Sequence, residues 1–495
     1  MPFAKKLPAA LDKQLQQLRD IMPPGMDVVI REFNLGNGQR AAAFFIDGLA
    51  NKELLGRDFF APLLDLPPQK FYSVQELMED TLRLGEIQLS GDLRFIVDMV
   101  LQGLTALFVD GNREAIIVEA IGWQMRSVNE PSTDVVIRGS REGFVEALRI
   151  NVSMVRRRLH HPDLIVEEMN IGRYSRTDIA IMYVSSIVDR RALSLLRQRL
   201  EQIDIDAVLD SGYIEQLIED APYSLFPTIG ITEKPDIAAG KMLDGRIVVL
   251  VDGSPIALTL PMLFIEGLHS AEDNYTRFYS ASWARLVRTI SLILSIFLPG
   301  FYTAVVSYHQ QLIPVKMLLS VAASEINTPY SVGLSMLIIT AIYEILREAG
   351  VRLPKPAGQA IGIVGAIIMG DAAVNAGIIS APVLIVQALT VTASYVSTQY
   401  IDAVTLLRIL FLLLGWWFGL LGMLMGSLFM LFYLCYLQSF GVPYLSPIAP
   451  LDTLTLPDTF IRFPRWMLQW RPQRLSWNRR RMRAGQRPGR GHIDA

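Results

Sequence analysis

The stretch "IVGAIIMGDAAVNAGII", Ile363 to Ile379, is apolar or small at almost every position, yet Asp371 and Asn375 stand in its middle. Four residues apart, the two side chains share one helix face. As a helix the stretch would cover about 25 Å, most of the hydrocarbon thickness of a bilayer. Lipid tails offer a carboxylate neither water nor hydrogen bonds, so such a group must face a bundle interior, a water-filled path or a partner charge. Neighbouring apolar runs carry groups of the same kind. Glu344 lies in "VGLSMLIITAIYEIL" with Arg347 one turn later, Gln387 in "APVLIVQALTVTASYVS", Arg408 in the run after that, and Glu325 just ahead of one. Glu325, Glu344, Asp371, Asn375 and Gln387 are therefore candidates to line a hydrated pathway or, by the same physics, to bridge helices in a polar network. Beside them Gly362, Ala366, Gly370, Ala373 and Gly377 recur every three or four residues, a spacing that lets two helices approach closely.

Other chemistries find little support. A Walker loop, a Gly-x-Ser-x-Gly elbow and a His-Glu-x-x-His helix are all absent from the sequence. "GNGQRA" lies between two β-rich runs instead of opening a helix, so it reads as a hairpin turn, not a dinucleotide fingerprint. The five histidines are scattered, and the adjacent His160-His161 cannot both face one metal along a helix. Cys435, the single cysteine, excludes disulfides within the chain and cysteine-based metal sites. No catalytic residue, cofactor or metal is expected. Arg156-Arg157-Arg158 fan out around their helix, which fits a salt-bridged surface helix better than one anion site.

The elements that must position these groups follow from composition. Hydrophobic residues make up 51% of the 495, and 46 Lys and Arg nearly balance 48 Asp and Glu, but neither is evenly spread. The expected organisation is an N-terminal α/β subdomain over 1–130, a second over 131–285 that includes a hairpin, an all-α multi-pass membrane domain over 286–440 and a basic tail over 441–495. Both subdomains are expected to hold small mixed sheets. "DVVIREFNL" and "RAAAFFIDGL" read as strands around the turn "GNGQ". Asp110-Gly111 and Asp252-Gly253 mark two further hairpins. "NEPSTD" (129–134) reads as the linker, "TDVVIR" as a strand, "REGFVEALRINVSMVRRRL" as one long helix and "DRRALSLLRQRLEQI" as an amphipathic one.

Five apolar segments fall at 287–309, 332–346, 358–380, 381–397 and 404–437. The first contains a Leu-Pro-Gly interruption, and the last would measure about 50 Å as one helix, too long for an upright crossing. The polar start lacks the apolar core of a signal peptide. The tail after residue 461 has ten arginines by residue 490 and no acid, so both ends are expected on the cytoplasmic side. An even number of crossings then requires either that 332–346 is re-entrant or interfacial, or that the last run is a hairpin broken near its glycines. Trp466, Trp470 and Trp477 among the arginines suit a lipid headgroup layer better than nucleic acid.

Four blocks carry a family resemblance: "VVIRGSREGFVEALRINVSMVRRRL", "DAPYSLFPTIGITEKPDIAAGKMLDGRIVVLVDGSPIALTLP", "EILREAGVRLPKPAGQAIGIVGAIIMGDAAVNAGIIS" and "SFGVPYLSPIAP". In that order they resemble the A-subunit family of GerA-type spore germination receptors, which is related to the stage V sporulation protein AF. The resemblance implies a large cytoplasmic region, a multi-pass domain in the spore inner membrane and a part in nutrient-triggered germination. It also implies work with a transporter-like B subunit and a lipoprotein C subunit, self-assembly into a homo-oligomer, and an ion-channel role that has been proposed for the membrane domain. Three departures stand out. Asp371 and Asn375 occupy a Gly-Gln-Ala-Ala-Val-Glu-like motif with the acid one turn earlier, Ser335 and Thr340 stand where glutamates are common, and Lys234 replaces an arginine.

Overall fold

A computed structural model describes residues 6–68, 72–82, 84–122, 138–353, 372–396, 398–453 and 456–472, together with 475, 476, 478 and 481. The first half folds into two α/β units. In the first, helix α1 (Leu11–Ile21) leads into β1 (Val28–Asn34) and β2 (Arg40–Ile46). A helical stretch over 52–64 and a turn of helix over 74–81 follow, then β3 (Ile87–Ser90), α2 (Leu93–Leu101), β4 (Thr105–Val109) and β5 (Ala115–Val118). The strands pair in the order β1-β2-β4-β5-β3, every neighbour antiparallel.

The second unit repeats the scheme. Helix α3 (Leu148–Arg156) leads into β6 (Leu164–Ile171) and β7 (Thr177–Val184). Next come α4 (Arg190–Glu201), α5 (Ser211–Ile218), β8 (Gly230–Thr232), α6 (Pro235–Leu243), β9 (Ile247–Val251) and β10 (Ala257–Leu260). The sheet order is β6-β7-β9-β10-β8, again antiparallel throughout, so the Asp252-Gly253 hairpin supplies two strands of this sheet. The central strands are apolar on both faces because helices cover both. Phe44 and Phe108 face α1 and α2, while Phe45 and Val109 face the helical stretch over 52–64. In the second sheet Ile179, Val249 and Leu258 face α4 and α5, whereas Met182, Val248 and Leu250 face α3 and α6.

Helix α3 starts at Leu148, not at residue 141 as the spacing suggested. The segment before it is held otherwise: Phe144 N donates to Glu233 O at 2.7 Å and Val145 N to Asn151 Oδ1 at 2.8 Å. The linker "NEPSTD" and most of the strand "TDVVIR" lie outside the described residues.

The second half is helical: α7 (Phe278–Tyr308), α8 (Val315–Glu325), α9 (Val332–Arg352), α10 (Ala381–Ser394) and α11 (Ile401–Tyr436). Among the described residues, α7 and α11 are long and apolar enough to cross a membrane. Helix α11 is not one straight rod. Gly419 breaks it at φ 63°, ψ −149°, and a Cβ on Gly426 would lie 2.6 Å from Leu414 Cδ1 and 3.0 Å from Phe411 Cε1. Fifteen helical residues between 411 and 426 would otherwise separate them by about 22 Å. The run therefore folds into a hairpin of limbs 401–418 and 420–436. The chain on either side of it meets at Phe264, whose carbonyl accepts from Tyr400 Oη just ahead of the first limb and whose N–H donates to Tyr444 O, past the second, at 2.9 Å. Trp417, Phe429 and Phe432 stay exposed on the outer faces of the limbs, as suits contact with lipid.

Candidate functional site

Proline has no N–H, so Pro299 inside α7 leaves the carbonyl four residues earlier, Ser295 O, without its helical donor. In hydrocarbon such a carbonyl needs a partner from a neighbouring helix. Arg408, on the first limb of α11, supplies it: its Nε donates to Ser295 O at 3.0 Å, and the side chain is only 1% exposed. The two helices can come this close because Gly300 and Gly415 face each other. A Cβ on either would collide with the other segment, at Phe411 O or at Gly300 O.

A buried guanidinium also needs a counter-charge. Glu344 on α9 provides one, its Oε1 3.5 Å from Arg408 Nη1, while its Oε2 lies 2.9 Å from Arg347 Nη2. Arg347 Nη1 reaches back to Thr405 Oγ1 on α11 at 3.2 Å. One turn before Glu344, the Thr340 hydroxyl donates to Met336 O at 2.7 Å and stands 3.2 Å from Gln387 Oε1 on α10. Polar contacts thus tie α7, α9, α10 and α11 into one bracket within an apolar bundle. Its formal charge is one carboxylate against two guanidiniums, so Glu344 is fully compensated.

Of the five candidate polar residues, the structure brings Glu344 and Gln387 into this bracket. Glu325, at the end of α8, is half-buried, and its Oε1 has no hydrogen-bond partner. Asn375 is exposed on the short turn Ala373–Asn375. Asp371, with Gly362, Ala366 and Gly370 of the packing stripe, lies outside the described residues. Ala373 packs on the cluster of Met336, Ile339 and Val383, and Gly377 adopts φ 65° within 3.1 Å of Asn327 O for a Cβ. A close backbone contact between helices is made at Gly300 and Gly415, which the Gly362–Gly377 stripe did not indicate. Pro299, Arg408 and Glu344 together were its legible signal.

Just outside the bundle, the start of α7 is locked by charge. Asp273 Oδ2 accepts from Arg285 Nε at 3.0 Å and Asp273 Oδ1 from Arg288 Nη2 at 2.5 Å, while Asp458 takes Arg285 and Arg462 at 3.1 and 2.8 Å. Burial alone would push the Asp273 carboxyl up, but hydrogen bonds and charge from Arg288 and Arg285 outweigh it and hold the group below the usual carboxylate range. Arg462 of the tail is buried here rather than spread along a headgroup layer. Among the described residues no cluster of His, Cys, Asp and Glu could hold a metal ion.

The family described as Bacillus/Clostridium GerA spore germination protein matches residues 16–474. Spore germination protein KA of Bacillus subtilis (strain 168) is 39% identical over 472 residues, covering 94% of this chain and 87% of its own. The uncharacterized membrane protein YfkQ of the same organism is 36% identical over 464 residues, 93% of this chain and 90% of its own. A crystal structure of the N-terminal domain of the A subunit of the Bacillus megaterium spore germinant receptor GerK3 aligns with 53% of this chain and 99% of its own, at 32% identity and a TM-score of 0.43.

Proposed function

The chain belongs to the GerA family of spore germination proteins, and on that premise we propose that it is the membrane A subunit of a spore germinant receptor that conveys a nutrient-triggered signal as an oligomeric, cation-conducting subunit. It would work with B and C subunits in the spore inner membrane, its α/β units on the cytoplasmic side. The observation that carries the conducting reading is Glu325. It is half-buried, lacks a cation within ion-pair reach among the described residues, and stands at the end of a helix whose outer side is open to a neighbouring copy. Such a carboxylate is retained at a cost that a structural role does not repay.

Planar-bilayer recording of the purified chain tests this. The expected result is a cation-selective current whose preference for cations over anions falls in Glu325→Gln. A non-conducting scaffold that couples a nutrient-binding partner to the release machinery is the second reading, and a specific observation favours it. Glu344 is neutralised by Arg347 and Arg408 and is not offered to a pore. Silence of the bilayer for a chain that still assembles with its partner subunits decides for the scaffold.

A further inference from the structure

Where the second α/β unit meets the head of α7 and the C-terminal tail, the chain encloses a cavity of about 680 Å³, a size usual for small-molecule sites. Its wall is unusually basic: eight Lys and Arg side chains against three carboxylates. Counting Asp273 and Asp458, which stand behind the wall and pair with Arg288 and Arg462, eight cations still meet only five carboxylates. The excess is concrete. Lys234 is 0% exposed, and its Nζ donates to a backbone carbonyl, Ser140 O, at 2.6 Å instead of to an acid. Arg465 is exposed and makes no ion pair among the described residues. The Nε–H groups of Arg246 and Arg288 are buried without an acceptor. Arg471 gives Nε to Leu243 O at 2.6 Å, and burial together with the charge of Arg481 pushes its guanidinium below the usual arginine range.

Unpaired donors and like charges held together in a half-enclosed space are what a compact polyanion would relieve. On one side the cavity reaches the helical half of the chain. Val396 and Gln399, between α10 and α11, line it, as does Gly267, which packs on Tyr400 at the head of α11.

We propose that this cavity binds a phosphate-bearing anion, and that binding clamps the tail, the second α/β unit and the head of α7 together. The chemistry is that of a phosphate dianion or diester held by guanidinium forks and one buried ammonium. The phosphate can come from an anionic lipid headgroup, since basic pockets on the cytoplasmic side of membrane helices suit one, or from a soluble phosphate compound. This assignment is independent of whether the chain conducts ions.

The full chain in nanodiscs tests it in two arms. In neutral phosphatidylcholine discs, pyrophosphate is titrated against thermal unfolding. In the other arm, native mass spectrometry measures retention of phosphatidylglycerol over phosphatidylcholine. Arg465→Gln removes an exposed guanidinium that no described contact needs for folding, Arg465→Lys keeps the charge, and Lys13→Gln removes an exposed charge in the first unit as a control. The expected result is that in one arm Arg465→Gln binds roughly tenfold more weakly, Arg465→Lys recovers part of the loss and Lys13→Gln binds as wild type. A response in the pyrophosphate arm assigns a soluble phosphate, and one in the lipid arm assigns a headgroup. Absence of binding in both arms, equal binding by wild type and Arg465→Gln, or an equal loss in Lys13→Gln overturns the proposal.

Discussion

The two α/β units share more than a strand order. In the first, Asp110 in the β4–β5 turn accepts from Leu11 N at 2.9 Å and so caps α1; in the second, Asp252 in the β9–β10 turn accepts from Leu148 N at 3.0 Å and caps α3. The glycine after each aspartate, Gly111 and Gly253, sits at φ 85° and donates to Ala9 O and Glu146 O at 2.9 and 2.8 Å. Gln14 and Asn151, each three residues into its helix, turn back to the carbonyls of Pro8 and Val145. The units differ in what else they hold. The first touches the second through Asp27, Met26 and Asp47. The second also takes in chain from beyond the bundle: Phe440, just past α11, is buried in its core beneath Arg199, 4.8 Å from the ring. One scaffold used twice thus gives a spacer and a coupler. The end of α11 is thus tied directly to the core of the second unit.

The joint between the units is the place where the comparison breaks most easily. Asp27 is 3% exposed and Arg156 1%, and Arg156 Nε donates to Asp27 Oδ2 at 2.7 Å. The Arg156-Arg157-Arg158 cluster therefore divides its labour, because Arg157 and Arg158 both reach Glu142 nearer the surface. Asp27→Ala strands a buried guanidinium and is expected to cost about 3–5 kcal/mol, measured by urea unfolding of the full chain in detergent. Asp27→Ala with Arg156→Met removes both charges and should recover most of that loss. A double variant as unstable as the single one would mean that the units are not joined by this pair.

Coupling in the second unit rests on Ser439. Its hydroxyl is fully buried, donates to Thr228 O at 2.6 Å and accepts from Met262 N at 3.0 Å. Ser439→Ala leaves a buried carbonyl and a buried N–H unpaired, at about 1–3 kcal/mol. Amide exchange should quicken around 228–232 and 438–443 and stay unchanged in β1 to β5. Equal quickening in both units would erase the distinction between spacer and coupler.

The caps sharpen the likeness. Both aspartates are exposed and their hydrogen bonds nearly equal in length, so Asp110→Ala and Asp252→Ala should each destabilise by about 1 kcal/mol. Effects that differ by more than this would show that the repeated geometry carries unequal load.

Local signals made much of this fold legible. Asp110-Gly111 and Asp252-Gly253 announced their turns, short runs of apolar and β-branched residues announced most strands, and the length of the last apolar run together with its glycines raised the hairpin that Gly419 makes. The duplication was hidden because it shows in topology, with Gln14 answering Asn151 and the helical stretches over 52–64 and 74–81 answering α4 and α5. Glu344 and Gln387 were identifiable because polar groups in apolar runs demand partners. Arg408 could be noticed, but its engagement with Ser295 O needed the crossing of α7 and α11. The basic cavity assembles side chains more than two hundred residues apart, a juxtaposition that no spacing rule contains.

The last expected effect is a difference in pH response. Glu215 on α5 in the second unit is half-buried; burial first, then the charges of Glu219 and Asp210, push its carboxyl up to about 7 from an ordinary 4.5. Between those values the folded chain holds a proton that the unfolded chain has released, so this group's contribution to stability falls as pH rises from 4.5 to about 7. Below the lower value both states are protonated and the carboxyl costs nothing. Above the upper one the folded state carries a poorly solvated charge beside two others. Glu215→Gln removes the dependence without changing size. The stability of the variant minus that of wild type should therefore be near zero at pH 4.5, climb through the window and level off above pH 7. Measured by thermal unfolding across that range, a flat difference would show that Glu215 reaches water freely, and this contrast between the second unit and the first would then be lost.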